Sequence, residues 1–467
     1  MASSPKRALV FVDYDLLIRH FVLSGAFAEL ARHYEVTYVF HDDATAAKKG
    51  IYTDVATLGL PRWTQFQIPR ARMGAWDPLY SVTALHRQRG TINFGPRKDI
   101  MALARGRWRV RYYQLLSLPG VYPIVRRRML RQMGVWEPLV DFLHRQRPDI
   151  IFHPSILAGY FINELLIAAP RLGIPFVVMM NSWDNPSVKA MNTGMPDRLV
   201  VWGPQTAAHA VEYLAMPRER VLQFGAAQFQ LYREPPKETD AELRALFRVP
   251  QGRAILLYGG GSTSANESRH LVLLDEAIQS GAMPPCHVLY RPHPWRGGLA
   301  PGEVNFFDLS LRHVTMDPHL EEYYRRCAKA EPNLRFEMTD YEVTKKLLHL
   351  VDAVISPLST ILLEAVIHGK PVLVFLPDRR RDDASGRVGD ISIRMAHFRE
   401  FWGIDGVGVC DEAAGLAAAC RRLLAQSADP RIRRGLRDHA ARFVVMDGPT
   451  YAERLVPLAD ELTAVAR

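Results

Sequence analysis

The chain has 467 residues, 48% hydrophobic and 23% charged, with 59 Lys and Arg against 49 Asp and Glu. That length exceeds one ordinary core, so two domains of roughly 200 residues are expected, and the composition excludes a disordered or fibrous protein. Cys286, Cys327, Cys410 and Cys420 stand far apart with no CxxC, which argues against a zinc site or disulfide framework and fits a reducing cytosol.

The first elements are a strand, ALVFVDYD, a helix over LLIRHFVLSGAFAELARHY and a strand, EVTYVFHDD, which together make a βαβ unit. The opening apolar run is too short for a signal peptide. A basic insertion follows at about 84–135. Between Arg87 and Arg131 lie twelve Lys and Arg against one acid, Asp99, with aromatic and apolar residues interleaved. Such a segment is either a solvated helical insertion or a surface for an anionic membrane, a phosphorylated acceptor or nucleic acid. No RRM, KH or zinc-finger pattern accompanies it, which disfavours nucleic acid.

The alternation then resumes: DIIFHPS (strand), ILAGYFINELLIAAPRLG (helix), IPFVVMMNSW and RLVVWGP (strands), QTAAHAVEYLA (helix) and RVLQFGAAQF (strand and turn). The most apolar region, 150–182, is interrupted by His153, Pro154, Asn163, Glu164, Pro170 and Arg171. It lacks the roughly 20 clean residues of a membrane span. The expected location is cytoplasmic, or peripheral on the inner face of the cell membrane.

Residues 229–250, polar and containing Pro235 and Pro236, read as a linker with a short helix. A second series follows: AILLYGGGS, ESRHLVLLDEAIQSG, CHVLYRPHP, LRFEMTD, VTKKLLHLVDAVIS, TILLEAVIHG and PVLVFLP. Strands alternating with helices give parallel sheets covered on both faces. The expected fold is α/β, with two doubly wound, Rossmann-like domains, 1–228 and 251–435, facing across a cleft. Helices at 436–467 close the chain, and whether they cross back to the first domain stays open.

Ligands of open α/β sheets collect at the carboxyl ends of strands. There the second half places Gly259, Gly260, Gly261 and Ser262, a turn whose backbone can approach a phosphate. Next come Arg291, His293 and Arg296, around two prolines that fix the loop. His293 could donate to a phosphate or act as an acid toward a leaving group. Ser359 and Thr360 then open a helix carrying a lone carboxylate, Glu364. The hydroxyls could cap the helix or hold a diphosphate, and the carboxylate could be paired within the protein or hold a ribose diol. The charged loop with Arg379 and Asp382 reads chiefly as solvated.

Glycine turn, RPHP and DAVISPLSTILLEAVIHGKPV, in this order, resemble the donor domain of a GT-B glycosyltransferase. The likeness is to the bacterial capsule-polysaccharide and CDP-glycerol glycerophosphotransferase group, over roughly residues 220–455. It implies Ser359 and Thr360 on donor phosphate, Glu364 on ribose and His293 at the phosphate or leaving group. It implies a nucleotide-sugar or CDP-polyol donor and a surface-glycan or lipid-linked acceptor. Position 356 is serine, which disfavours retaining enzymes with two glutamates eight positions apart. UDP-GlcNAc 2-epimerases share the fold and remain an alternative, as does a non-catalytic protein that binds membrane or nucleic acid. An acceptor base is expected from the first half, at Asp13 before Asp15, with His20, His41, Asp42, His153 and Asp184 each readable as caps. No DxD stands at a strand end of the donor half, so neither an essential metal nor another cofactor is expected. The donor base, transferred group and stereochemistry are not legible.

Overall fold

The computed structural model describes residues 5–41, 50–157, 159–189, 193–261, 265–293, 298–300, 302–331, 340–377, 379 and 384–465. The chain divides into two compact units, one of residues 1–230, 395–397 and 442–467, the other of 231–394 and 398–441. Residues 231–250 therefore belong to the second unit, where a capping box between Thr239 and Glu242 starts the helix Asp240–Leu246.

In the first unit a seven-stranded sheet runs in the order β3-β2-β1-β4-β5-β6-β7. Its strands are β1 (Arg7–Val12), β2 (Glu35–Phe40), β3 (Trp63–Gln65), β4 (Ile150–His153), β5 (Phe176–Met179), β6 (Arg198–Val201) and β7 (Val221–Gln223). Every pairing is parallel, and β4 and β5 are buried along their whole length. That explains their unbroken apolar sequences, since a covered parallel strand has no solvent face. The short edge strand β3 lies in polar sequence that gave no strand signal.

The stretch read as one helix at 16–34 is interrupted. Asp15–Leu17 passes into a wide turn at Ile18–Val22, and helix returns only at Leu30–His33. Between them Gly25 takes φ +70°, a left-handed conformation that no helix interior holds. The C-terminal helix Tyr451–Val465 packs into this unit's core through Tyr451, Leu455, Leu458 and Leu462.

The basic insertion is helical: Asp77–Arg87, Phe94–Arg105, Arg107–Leu116 and Tyr122–Met133. It has a small core of its own, built on Val82, Leu85, Met101, Val110, Tyr113 and Tyr122. Arg72 ties the neighbouring chain to the sheet unit. Its Nε and Nη2 donate to the buried Glu164 carboxylate at 2.7 and 3.0 Å, and Nη1 and Nη2 donate to the Met133 and Gly134 carbonyls. Trp76 Nε1 donates to the same carboxylate at 2.7 Å.

The second unit has a six-stranded parallel sheet in the order β10-β9-β8-β11-β12-β13. The strands are β8 (Ala254–Gly259), β9 (Cys286–Arg291), β10 (Val314–Met316), β11 (Ala353–Ser356), β12 (Val372–Phe375) and β13 (Val407–Cys410). The short β10 and β13 occupy the two edges and were not anticipated. The expected strand LRFEMTD lies outside the described residues apart from Asp340, which caps the helix Tyr341–Leu350. Among the described residues no helix is long and apolar enough to cross a membrane.

Candidate functional site

Strand order reverses in each sheet, and the crevice at such a reversal is where open α/β sheets take ligands. In the second unit the reversal falls between β8 and β11. β8 ends at Gly259 and β11 at Ser356, so the glycine turn and the Ser359–Thr360 segment meet there. Their approach is close: a Cβ on Gly259 would lie 3.0 Å from Ile361 Cγ2 and 3.8 Å from Ser356 Oγ.

The glycine turn is closed by a residue the sequence reading missed. Glu267, fully buried at the start of the helix Glu267–Gln279, accepts from Gly261 N–H at 2.8 Å and from the Tyr290 hydroxyl at 2.7 Å. A Cβ on Gly260 would stand 2.8 Å from both Glu267 Oε2 and His293 N. Glycine is therefore required here for side-chain and backbone approach. The expected anion contact at Gly261 N–H is taken by this carboxylate, which also repels a phosphate. An acid directly after the N-cap Asn266 was the available signal. Ser262 lies outside the described residues, as do Arg296 and Asp382.

His293 follows β9 by two residues, half-buried, its backbone against Gly260. Arg291 does not reach toward a ligand as expected. It is buried, with Nη2 donating to Thr344 Oγ1 at 3.1 Å and Nε 3.6 Å from the buried Asp317 carboxylate. Burial alone would raise the Asp317 carboxyl, but the His319 hydrogen bond and the Arg291 charge together hold it below the usual range. This arginine is a structural ion-pair partner. Arg379 likewise pairs with Asp411 at 2.5 Å.

Thr360 occupies the N-cap of the helix Ile361–Ile367 and makes no capping bond through its side chain. The cause is backbone geometry: at φ −61°, ψ −23° the residue is helical, whereas a capping hydroxyl needs the extended region. Ser359 and Thr360 are half-buried. Behind them the Ser356 hydroxyl is buried and has no hydrogen-bond partner among the described residues. Glu364, in the first turn, accepts from the Tyr232 hydroxyl at 2.5 Å. Tyr232 is a partner that only the fold reveals, since it stands 132 positions away in sequence.

In the first unit the reversal falls between β1 and β4, whose ends bring Asp13 to His153. His153 Nδ1 donates to the Phe11 carbonyl at 3.0 Å, and Nε2 lies 3.3 Å from Asp13 Oδ2. Asp13 Oδ1 accepts from Phe161 N–H at 3.2 Å, and a Cβ on Gly159 would overlap Oδ2. Both side chains are fully buried. Asp13, the first choice for the acceptor base, is thus buried rather than open to an acceptor, and its Oδ2 has no hydrogen-bond partner among the described residues. Asp15 is also engaged, accepting the Tyr52 and Thr53 N–H groups at 2.9–3.2 Å.

The remaining candidates of the first half are held in place too. His20 is buried, and burial with the Arg19 charge pushes its pKa well below the ordinary value. His41 stacks on Tyr160 and bonds Ile68. Burial would raise the Asp184 carboxyl, but the Lys189 and His397 charges and the hydrogen bonds from Lys189, at 2.7 Å, and Ser182 together outweigh it, and the net shift is downward. Asp42 lies outside the described residues. Among the described residues no three His, Cys, Asp or Glu side chains form a metal-holding group.

No family model matches the chain, and no curated protein does. Solved structures do. A Listeria monocytogenes protein assigned as a UDP-N-acetylglucosamine 2-epimerase aligns over 98% of this chain and 96% of its own, with TM-score 0.52 and 10% identity. The fold is GT-B. Two further GT-B neighbours have lower TM-scores. The wall teichoic acid polymerase TagF aligns at 0.47 with 11% identity, over 99% of this chain and 89% of its own. A glycosyltransferase from Rickettsia africae aligns at 0.48 with 10% identity, over 98% and 99%. At such identity the GT-B likeness speaks for the fold, and function rests on the site.

Proposed function

We propose that this protein transfers a sugar, or a polyol phosphate, from a nucleotide-activated donor to a surface-glycan or lipid-linked acceptor. The observation that carries the reading is the Ser359–Thr360 pair: half-buried at the β8/β11 reversal, with the Thr360 hydroxyl left out of helix capping. Hydroxyls and N–H groups so placed suit a diphosphate. His293, beside the glycine turn, would meet the phosphate or leaving group, and Glu364 the ribose. In this reading the protein's own donors neutralise the phosphates, so chelating divalent cations leaves turnover unchanged. An enzyme with a lipid-linked acceptor would work at the inner face of the cell membrane.

A UDP-sugar 2-epimerase is the reading to set against it, because the fold is shared by such a protein. The two differ in a simple observable. A transferase releases nucleotide only when an acceptor is present, whereas an epimerase interconverts the donor sugar without one.

The test begins with the melting temperature of the purified chain against CMP, CDP, UMP, UDP and GDP. A nucleotide at a hundred times its Kd adds about 2.7 kcal/mol of stability and must raise the midpoint. Stabilisation by one nucleotide, lost in Ser359→Ala/Thr360→Val, is the expected result. Donor turnover with and without acceptor then separates the two enzymes. No shift with any nucleotide would sink both and favour a non-catalytic binding protein.

A further inference from the structure

The helices Arg107–Leu116 and Tyr122–Met133 carry the least ordinary surface of the first unit. Val110 and Tyr113 turn into the small core of the insertion. Trp108, Tyr112 and Leu115, at i, i+4 and i+7, share the opposite face of the same helix and are 79%, 58% and 63% exposed. The helix thus has two apolar faces, only one of which is covered. Leu118 and Val121 continue the exposed face through the connecting turn, and Ile124, 70% exposed, extends it onto the second helix.

Charge surrounds this apolar strip. From Ile100 to Trp136 the sequence has eight arginines and no acid. Arg107, Arg109 and Arg111 lie on the first helix, and Arg127, Arg128 and Arg131 on the second, all exposed. None of these six makes an ion pair among the described residues. Arg111 lies over the Trp108 ring at 4.8 Å, so charge and ring are presented together.

We infer that this face docks on an anionic phospholipid bilayer, with Trp108, Tyr112, Leu115 and Ile124 entering the headgroup–acyl boundary and the arginines held at the phosphates. An exposed strip of large apolar side chains rimmed by unpaired cations is the chemistry of an interfacial helix. Long arginine side chains allow the apolar atoms to sink while the guanidinium groups stay at headgroup level. Nucleic acid would satisfy the charges and could stack on Trp108 and Tyr112, but the aliphatic Leu115, Leu118, Val121 and Ile124 have no counterpart on a phosphate backbone. A second copy would set arginine against arginine across a two-fold axis. Lipid docking does not depend on the transfer reaction, and either can fail without the other.

The experiment is co-sedimentation of the full chain with phosphatidylcholine vesicles, with and without phosphatidylglycerol, at low and high salt. The chain should pellet with the phosphatidylglycerol vesicles and be largely released by salt. Arg127→Ala/Arg128→Ala should lower partitioning roughly 20–30-fold, at about fivefold per charge near the surface. Trp108→Ala/Ile124→Ala should lower it more than tenfold at low salt. Both variants should keep the parent melting temperature, because the altered side chains are exposed. No binding to either vesicle overturns the inference, as does undiminished binding of Trp108→Ala/Ile124→Ala. Single-stranded RNA retained in place of vesicles would reassign the face to nucleic acid. A dimer that dissociates in Trp108→Ala/Ile124→Ala without vesicle binding would reassign it to self-association.

Discussion

Glu364 and Tyr232 form the contact on which the meaning of the site turns. A carboxylate on an otherwise apolar helix must find a donor, and the Tyr232 phenol supplies one at 2.5 Å. A hydrogen bond to a charged group contributes about 1.5–3 kcal/mol, so Tyr232→Phe and Glu364→Ala should each lower stability by about that amount. The two variants should part company on nucleotide. If Glu364 holds the ribose, Glu364→Ala loses the nucleotide-induced shift while Tyr232→Phe retains it. Equal retention in both would leave Glu364 with a structural role and no part in holding ribose. Ser359 and Thr360 were legible as polar residues at a helix start. That Thr360 does not cap was not legible, because it depends on a backbone angle.

At the scale of elements, a buried ion pair helps to fasten the insertion, beside hydrogen bonds from Gln88 and Asn93 to the Ser187 carbonyl and from Arg126 to the Thr193 carbonyl. Arg72 meets Glu164 through two nitrogens, and the Glu164 side chain is 1% exposed. Removing one partner leaves an uncompensated buried charge, so Arg72→Ala should cost about 3–5 kcal/mol. Arg72→Lys should recover only part of it, since an ammonium cannot reproduce the planar two-nitrogen contact. Denaturant midpoints measure both, and limited proteolysis within 94–133 reports whether the insertion has come loose. A loss below 1 kcal/mol in Arg72→Ala would show that the pair contributes little. The same scale explains the unforeseen strands. β3, β10 and β13 have three or four residues at sheet edges, too short for periodicity to register, and their incomplete burial spares them the unbroken apolar run of a covered strand. The interruption at Gly25 was written in the sequence and outweighed by the apolar pattern around it.

Across the whole molecule, buried histidines set the response to acid. Burial is the largest cause pushing His287 and His368 down to about 4 and His397 to about 3. Folded-state values below the unfolded one mean that the unfolded chain binds more protons between about pH 6.5 and 4. Stability is therefore present above pH 6.5 and is lost as pH falls toward those values, by up to roughly 3 kcal/mol for His287 and for His368 and by more for His397. The melting temperature should hold from pH 8 to 7 and then drop steeply below 6. Substituting His397 by Gln should remove part of that slope, and an unchanged profile would contradict its neutral burial. Alternation of apolar strands and helices was enough, from sequence alone, to determine a doubly wound α/β protein with most of its central strands, because a fully covered parallel strand must be apolar throughout. It also placed the glycine turn and the Ser359–Thr360 pair at strand ends. Only the tertiary structure decided which polar groups already had neighbours: Arg291 beside Asp317, Gly261 bonded to Glu267, Glu364 bonded to Tyr232, and Asp13 enclosed with His153. Those pairings join residues far apart in the chain, and a one-dimensional pattern records a residue's need for a partner without recording the partner.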